Sequence, residues 1–225
     1  MERTIEQALA AAEAALDAGG GLAGTGFWPA VAQVKADPEL IERHADRIAA
    51  IDARAFDDWA LLTVPVGVGT FLAMLGTAAG LTFVAVAYAY GGLAGVLFFY
   101  AGLAVLLITT HGLGHLAAGA AVGIRFTKWF IGTWAMPQPG VKVDYASYLR
   151  VSPVRRAWMH ASGAVVTKLV PFTLIGSAVA ADLPAWAIWG LVALGAVMAI
   201  TDIAWSTKSS DWMKFRREMS FAQRP

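Results

Sequence analysis

Cysteine is missing from all 225 residues, so the chain can form no disulfide and offers no thiolate to a metal; any metal site must use histidine and carboxylates. Charge is also scarce. Asp, Glu, Lys and Arg make up 15% of the chain, none occurs from Trp59 to Ile124, and Ala161 to Ile200 holds only Lys168 and Asp182. That composition excludes an ordinary soluble domain, and each stretch is long enough for two membrane spans of roughly 20 residues. A cleavable leader is not expected either, because the first 57 residues are charged and helix-like where a short basic-then-apolar segment would stand; the first span is expected to act as the insertion signal. A net charge of +1 says nothing about partners.

The expected fold is an all-α polytopic membrane protein. Its four transmembrane helices lie near 59–88, 93–122, 157–181 and 184–204, with tight turns at Tyr90-Gly91-Gly92 and Asp182-Leu183-Pro184. A helical appendage (1–57) precedes this membrane domain (58–205), and a basic tail (206–225) follows it. The turns carry no Lys or Arg, whereas Arg125, Lys128, Lys142, Arg150, Arg155 and Arg156 crowd the loop between the second and third spans. The positive-inside bias therefore puts that loop, the appendage, the tail and both termini in the cytoplasm. Trp129, Trp134, Trp158, Trp186 and Trp205 fall near the expected interfaces as an aromatic belt.

In the appendage, Thr4 to Ala18 is Ala-rich and Gly19-Gly20-Gly21 ends it, while Asp37-Pro38 reads as an N-cap followed by proline at the first helical position. Ile41, Ala45, Ile48, Ile51 and Ala55 then recur at helical spacing, a face expected to pack on the membrane domain or a partner. His44, among Glu42, Arg43 and Asp46, reads as a surface histidine.

Near the cytoplasmic end of the second span stands His111-Gly112-Leu113-Gly114-His115. Residues four apart share a helix face, and two neutral imidazoles there can grip one divalent metal. The competing reading is helix packing, with Gly112, Gly114, Gly119 and Gly123 allowing close approach. A third ligand must come from elsewhere. Asp202 matches the depth of His111 in its span, whereas Asp211 reaches the site only if the chain after Trp205 unwinds; local sequence reads Asp211 as a solvated N-cap. Lys168 lies near mid-bilayer and calls for a partner, for which Asp202 is a candidate, and His160 reads as an interfacial histidine or a fourth ligand.

These residues resemble the intramembrane site-2 protease family. His111 and His115 match its two histidine ligands, the His-x-Leu-Gly-His-Leu-x-x-Gly run matches its flanking pattern, and the similarity extends over about 93–220. The resemblance implies a zinc ion held by two histidines and an aspartate. By the family's spacing between an asparagine and the ligand aspartate, Asp211 takes the ligand's place and Asp202 that of the asparagine, although Trp212 stands where the family has glycine; the choice between the two aspartates stays open. The loop Gly123–Leu149 resembles the family's membrane-edge β segment, which leaves room for a short β segment that pairs with an extended peptide.

Gly112 departs from the family at the position of its general base, a loss worth roughly 10²–10⁴-fold in rate. Asp144 or Glu218 could substitute. Three functions follow: a zinc-binding protease homologue that holds membrane or extended peptides without cleaving them efficiently; an accessory subunit of a larger membrane complex, its histidines in packing or in pigment or haem ligation; or an active protease with a relocated base. The expected partners are the bilayer and a peptide segment, not nucleic acid.

Overall fold

A computed structural model describes residues 2–135, 137–204 and 210–223. Trp205 and the 206–209 segment, for which an interfacial tryptophan and an unwound connection are expected, lie outside the described residues. In chain order the elements are α1 (Glu2–Asp17), α2 (Phe27–Val34), α3 (Pro38–Trp59), β1 (Leu62–Pro65), α4 (Val66–Val86), a 3₁₀ turn (Ala87–Ala89), α5 (Gly92–Ala121), β2 (Phe126–Ile131), β3 (Pro139–Val143), α6 (Tyr145–Arg150), α7 (Pro153–Thr173), α8 (Ile175–Ala180), α9 (Ala185–Ala204) and α10 (Asp211–Ala222). They divide into two compact units, one of Met1–Val66, Gly119–Arg156 and Glu218–Pro225, the other of Gly67–Ala118 and Ala157–Arg217. The sequence boundaries at 57 and 205 therefore differ from the structural ones: the inter-span loop and the end of the tail belong with the N-terminal helices.

In the first unit, Ile5, Leu9, Ala12 and Leu16 line the buried face of α1. Asp37 accepts from the N–H groups of Glu39 at 2.8 Å and Leu40 at 3.4 Å, so α3 starts where the cap sequence predicts. The buried α3 face is covered by α1, α2 and α6 of its own unit. Each fully buried aliphatic side chain there contributes roughly 1.5–3 kcal/mol. His44 is corrected with it: the ring is 3% exposed, and its Nδ1 lies 3.4 Å from Glu6 Oε1 on α1.

The same unit holds an antiparallel sheet in the order β1-β2-β3, with Val64 opposite Trp129 and Trp129 opposite Val141. The hairpin β2–β3 falls in the loop where a β segment is expected. Strand β1 is a difference, since 59–65 is expected to open the first span. Leu62-Thr63-Val64 suits a pleated strand, but it runs without a polar break into the apolar helix, so periodicity cannot separate the two.

Among the described residues, four spans are long and apolar enough to cross a membrane, Val66–Ala89, Gly92–Ala121, Pro153–Ala180 and Ala185–Asp202, and all but a few end residues of the first three lie in the second unit with the whole of the fourth. Only 17–33% of the residues in their most apolar windows are buried, leaving Phe71, Leu93, Leu97 and Trp189 facing outward. Their inner faces meet around Phe99, Leu103, Leu106, Ala178 and Leu191. Gly80 and Gly102 bring α4 and α5 into backbone contact, for a Cβ on Gly102 would sit 2.6 Å from the Gly80 carbonyl oxygen. Thr77 donates to Thr109 at 2.9 Å across this pair, and Tyr100 donates to the Ala187 carbonyl at 2.7 Å, tying α5 to α9. Between apolar helices such packing and hydrogen bonds, not hydrophobic transfer, hold the contact.

Candidate metal centre

His111 and His115 stand one turn apart on α5, and Asp211 opens α10. The three donor atoms converge. His111 Nε2 lies 3.3 Å from His115 Nε2, and Asp211 Oδ2 lies 3.2 Å from the first and 3.1 Å from the second. A tetrahedral zinc with bonds of about 2.0–2.1 Å separates its donors by roughly 3.3 Å, so this near-equilateral triangle could hold such an ion.

The far side of each donor is also held. His115 Nδ1 lies 2.8 Å from the Met159 carbonyl, which only accepts, so Nδ1 carries a hydrogen and Nε2 is the nitrogen that faces the centre. His111 Nδ1 lies 2.9 Å from Thr167 Oγ1. Lys214 donates to Asp211 Oδ1 at 3.2 Å, leaving Oδ2 for the imidazoles. Burial pushes the Asp211 carboxyl up, but the imidazoles of His111 and His115, with Lys214, outweigh it and hold it well below the usual carboxylate range. Asp211 is therefore an anion facing two nitrogen donors, a set suited to a borderline divalent cation.

Local sequence explains part of this arrangement. Gly163 on α7 leaves the volume His115 fills: a Cβ there would lie 2.3 Å from His115 Nε2. Gly114 does the same for the helix contact, where a Cβ would lie 3.1 Å from Val166 and 3.3 Å from Gly163 Cα. Of the glycines expected to allow close packing, Gly114 does so beside the histidines, whereas a Cβ on Gly123 would meet nothing within 4 Å. Asp211 is not the N-cap of α10. Ser210 fills that position, accepting from Met213 N–H at 3.3 Å, while the Asp211 side chain is only 14% exposed.

Asp202 lies outside the three-residue group. Its Oδ2 pairs with Lys168 Nζ at 2.7 Å, and Lys168 also donates to the Ala164 carbonyl at 3.2 Å. His160 is half-buried on α7 and is not part of the group. Gly112 is buried on α5 and brings no carboxylate. The two candidate substitute bases belong to the first unit and are engaged there. Asp144 caps α6, accepting from Ala146 N–H at 3.3 Å, and pairs with Arg125 at 2.8 Å. Glu218 is fully buried, with Oε1 2.5 Å from Lys35 Nζ and Oε2 accepting from Arg156 Nε at 2.8 Å.

Sequence reasoning missed Met159, Gly163, Thr167 and Lys214. The signal was available in the first three, which recur every four residues and so share the α7 face that meets a pair spaced by four on α5. A comparison with protein-family models, characterised proteins and solved structures finds no match to the chain.

Proposed function

We propose that this chain is a multi-pass membrane protein similar to the site-2 proteases, with one zinc ion held by His111, His115 and Asp211, and that it binds membrane or extended peptide segments without cleaving them efficiently. The observation that carries the reading is the triangle of Nε2, Nε2 and Oδ2 at 3.1–3.3 Å. The sets of basic residues before Trp59, between the second and third spans and after the fourth favour a cytoplasmic location for both termini. A bound zinc would supply a Lewis acid and a polarised water.

Water activation at zinc needs a proton acceptor, and the helix that carries the histidines has glycine where that acceptor belongs. Asp144 and Glu218 are each committed to cationic partners, which favours a binding role over a rebuilt hydrolase. Strands β1 and β3 form the edges of the sheet, the kind of element on which an extended peptide adds a strand.

The test is the metal content of the purified protein by elemental mass spectrometry beside a His111→Ala, His115→Ala double variant. About one zinc per chain, lost in the variant, is the expected result. Metal in neither protein would overturn the reading and leave an accessory-subunit role with packing histidines.

A further inference from the structure

The first unit carries a cleft that the metal centre does not use. Its volume is about 730 Å³, inside the range of roughly 300–1,000 Å³ typical of ligand sites. The walls come from the end of α1, the Gly19-Gly20-Gly21 loop, α2 and the last turns of α3. Trp28, Phe56 and Trp59 line it together with Asp52 and Asp58, and among the described residues no Lys, Arg or His does.

The rings are held in place yet open. Trp28 stands edge-on to Phe27 at 4.9 Å and to Tyr145 at 6.5 Å, and Trp59 edge-on to Phe130 at 5.9 Å, while the two indoles remain 51% and 42% exposed. Phe56 already takes one cation, with Lys142 Nζ 4.5 Å from its centroid. An indole face attracts a cation more strongly than a phenyl face does. The carboxylates are not equivalent either. Asp52 is buried and paired with Lys142, neighbouring Asp57 pairs with Lys128, and Arg54 on the same helix is taken by Asp17. Asp58 is the exception: it is exposed, and its carboxylate has no ion pair or hydrogen bond among the described residues.

We propose that this cleft takes the basic cytoplasmic flank of a membrane peptide segment, an Arg or Lys side chain lying against the indoles of Trp28 and Trp59 with its charge at Asp58. The inference rests on the peptide-binding reading above and deepens it. Segments that cross a membrane carry Lys and Arg at their cytoplasmic ends, so such a partner brings the charge that the cleft lacks. The glycine loop leaves room for the peptide's main chain, since a Cβ on Gly19 or on Gly21 would meet nothing within 4 Å. Val66, in the same unit, opens the first span soon after Trp59, which keeps the cleft near the end of a membrane helix. A lone ammonium headgroup would fill only part of this volume, whereas a basic side chain with apolar neighbours uses both the carboxylate and the rings.

The experiment is fluorescence anisotropy with the full-length protein in a non-ionic detergent. The probe is a labelled peptide whose apolar stretch ends in three arginines, compared with the same peptide ending in three glutamines. Wild type is expected to bind the basic peptide at least about 5-fold more tightly, with the margin shrinking as salt is raised. Asp58→Asn is expected to weaken the basic peptide about 2–5-fold, Trp59→Leu about 3–30-fold, and Asp58→Lys to remove the preference. Glu39→Gln, which removes an exposed carboxylate at the start of α3, is expected to change nothing. Circular dichroism checks that each variant folds. A preference that survives both Asp58→Lys and Trp59→Leu, or equal binding of the two peptides by wild type, overturns the cleft assignment while leaving peptide binding standing. Saturable binding of phosphocholine with no preference between the peptides assigns the cleft to a lipid headgroup and overturns the proposal likewise. A wild type that binds neither peptide overturns the peptide-binding reading and the cleft with it.

Discussion

Lys168 Nζ and Asp202 Oδ2 form an ion pair at 2.7 Å between α7 and α9, with their side chains 22% and 25% exposed. Lone charges in apolar helices are costly, and this pair accounts for both. Lys168→Met is expected to destabilise the helical unit by about 1–2 kcal/mol, read from the unfolding midpoint in mixed micelles, and Lys168→Met with Asp202→Leu to recover part of that loss.

The same pair gives the two aspartates different surroundings. Asp202→Asn is expected to leave zinc stoichiometry unchanged, whereas Asp211→Asn removes one of three donors and lowers zinc occupancy. Equal loss of zinc in both variants would mean that Asp202 takes part in coordination.

Gly163→Ala places a methyl group 2.3 Å from His115 Nε2. In a helix interior this exchange ordinarily stabilises by about 1 kcal/mol. Here it is expected to displace the ring and abolish zinc binding, measured by elemental analysis, while circular dichroism retains the helical signal.

Glu218 gives the first unit a pH dependence. Burial pushes its carboxyl up, but Lys35 and Arg156 pull it further down, below its ordinary 4.5. A depressed carboxyl contributes stability above the unfolded value and loses that contribution as pH falls through the folded one. Asp52 works in the opposite sense: desolvation, only partly offset by Lys142, raises its pKa and favours the protonated form on folding. Melting of wild type against Glu218→Gln should therefore show a less stable variant at neutral pH, and a gap that narrows as pH is lowered below about 4.5.

The histidine pair was legible because its geometry is local: two residues four apart on a helix fix their own relation. The Asp37-Pro38 start of α3 was legible for the same reason, and so were the four apolar runs. Asp211 read locally as a cap, since nothing in its flanks tells that Ser210 takes the cap and frees the carboxylate for α5. His44 read as exposed because its neighbours are charged, and its cover, α1, lies far away in sequence. Strand β1 was hidden by continuity with an apolar helix, its partner β2 being some sixty residues on. What failed was pairing between distant segments, which no periodicity encodes.

Lys35, Arg156 and Glu218 also impose an order in time. Two cations that share one carboxylate cannot both leave water before it arrives. A chain made from its N-terminus presents Lys35 early, Arg156 well after, and Glu218 only when α10 has been synthesised. Until then Arg156 and Lys35 must stay hydrated, so the interior around Tyr148 closes as a final act of assembly, and a nascent chain halted before 218 would leave that interior open to water and to proteases.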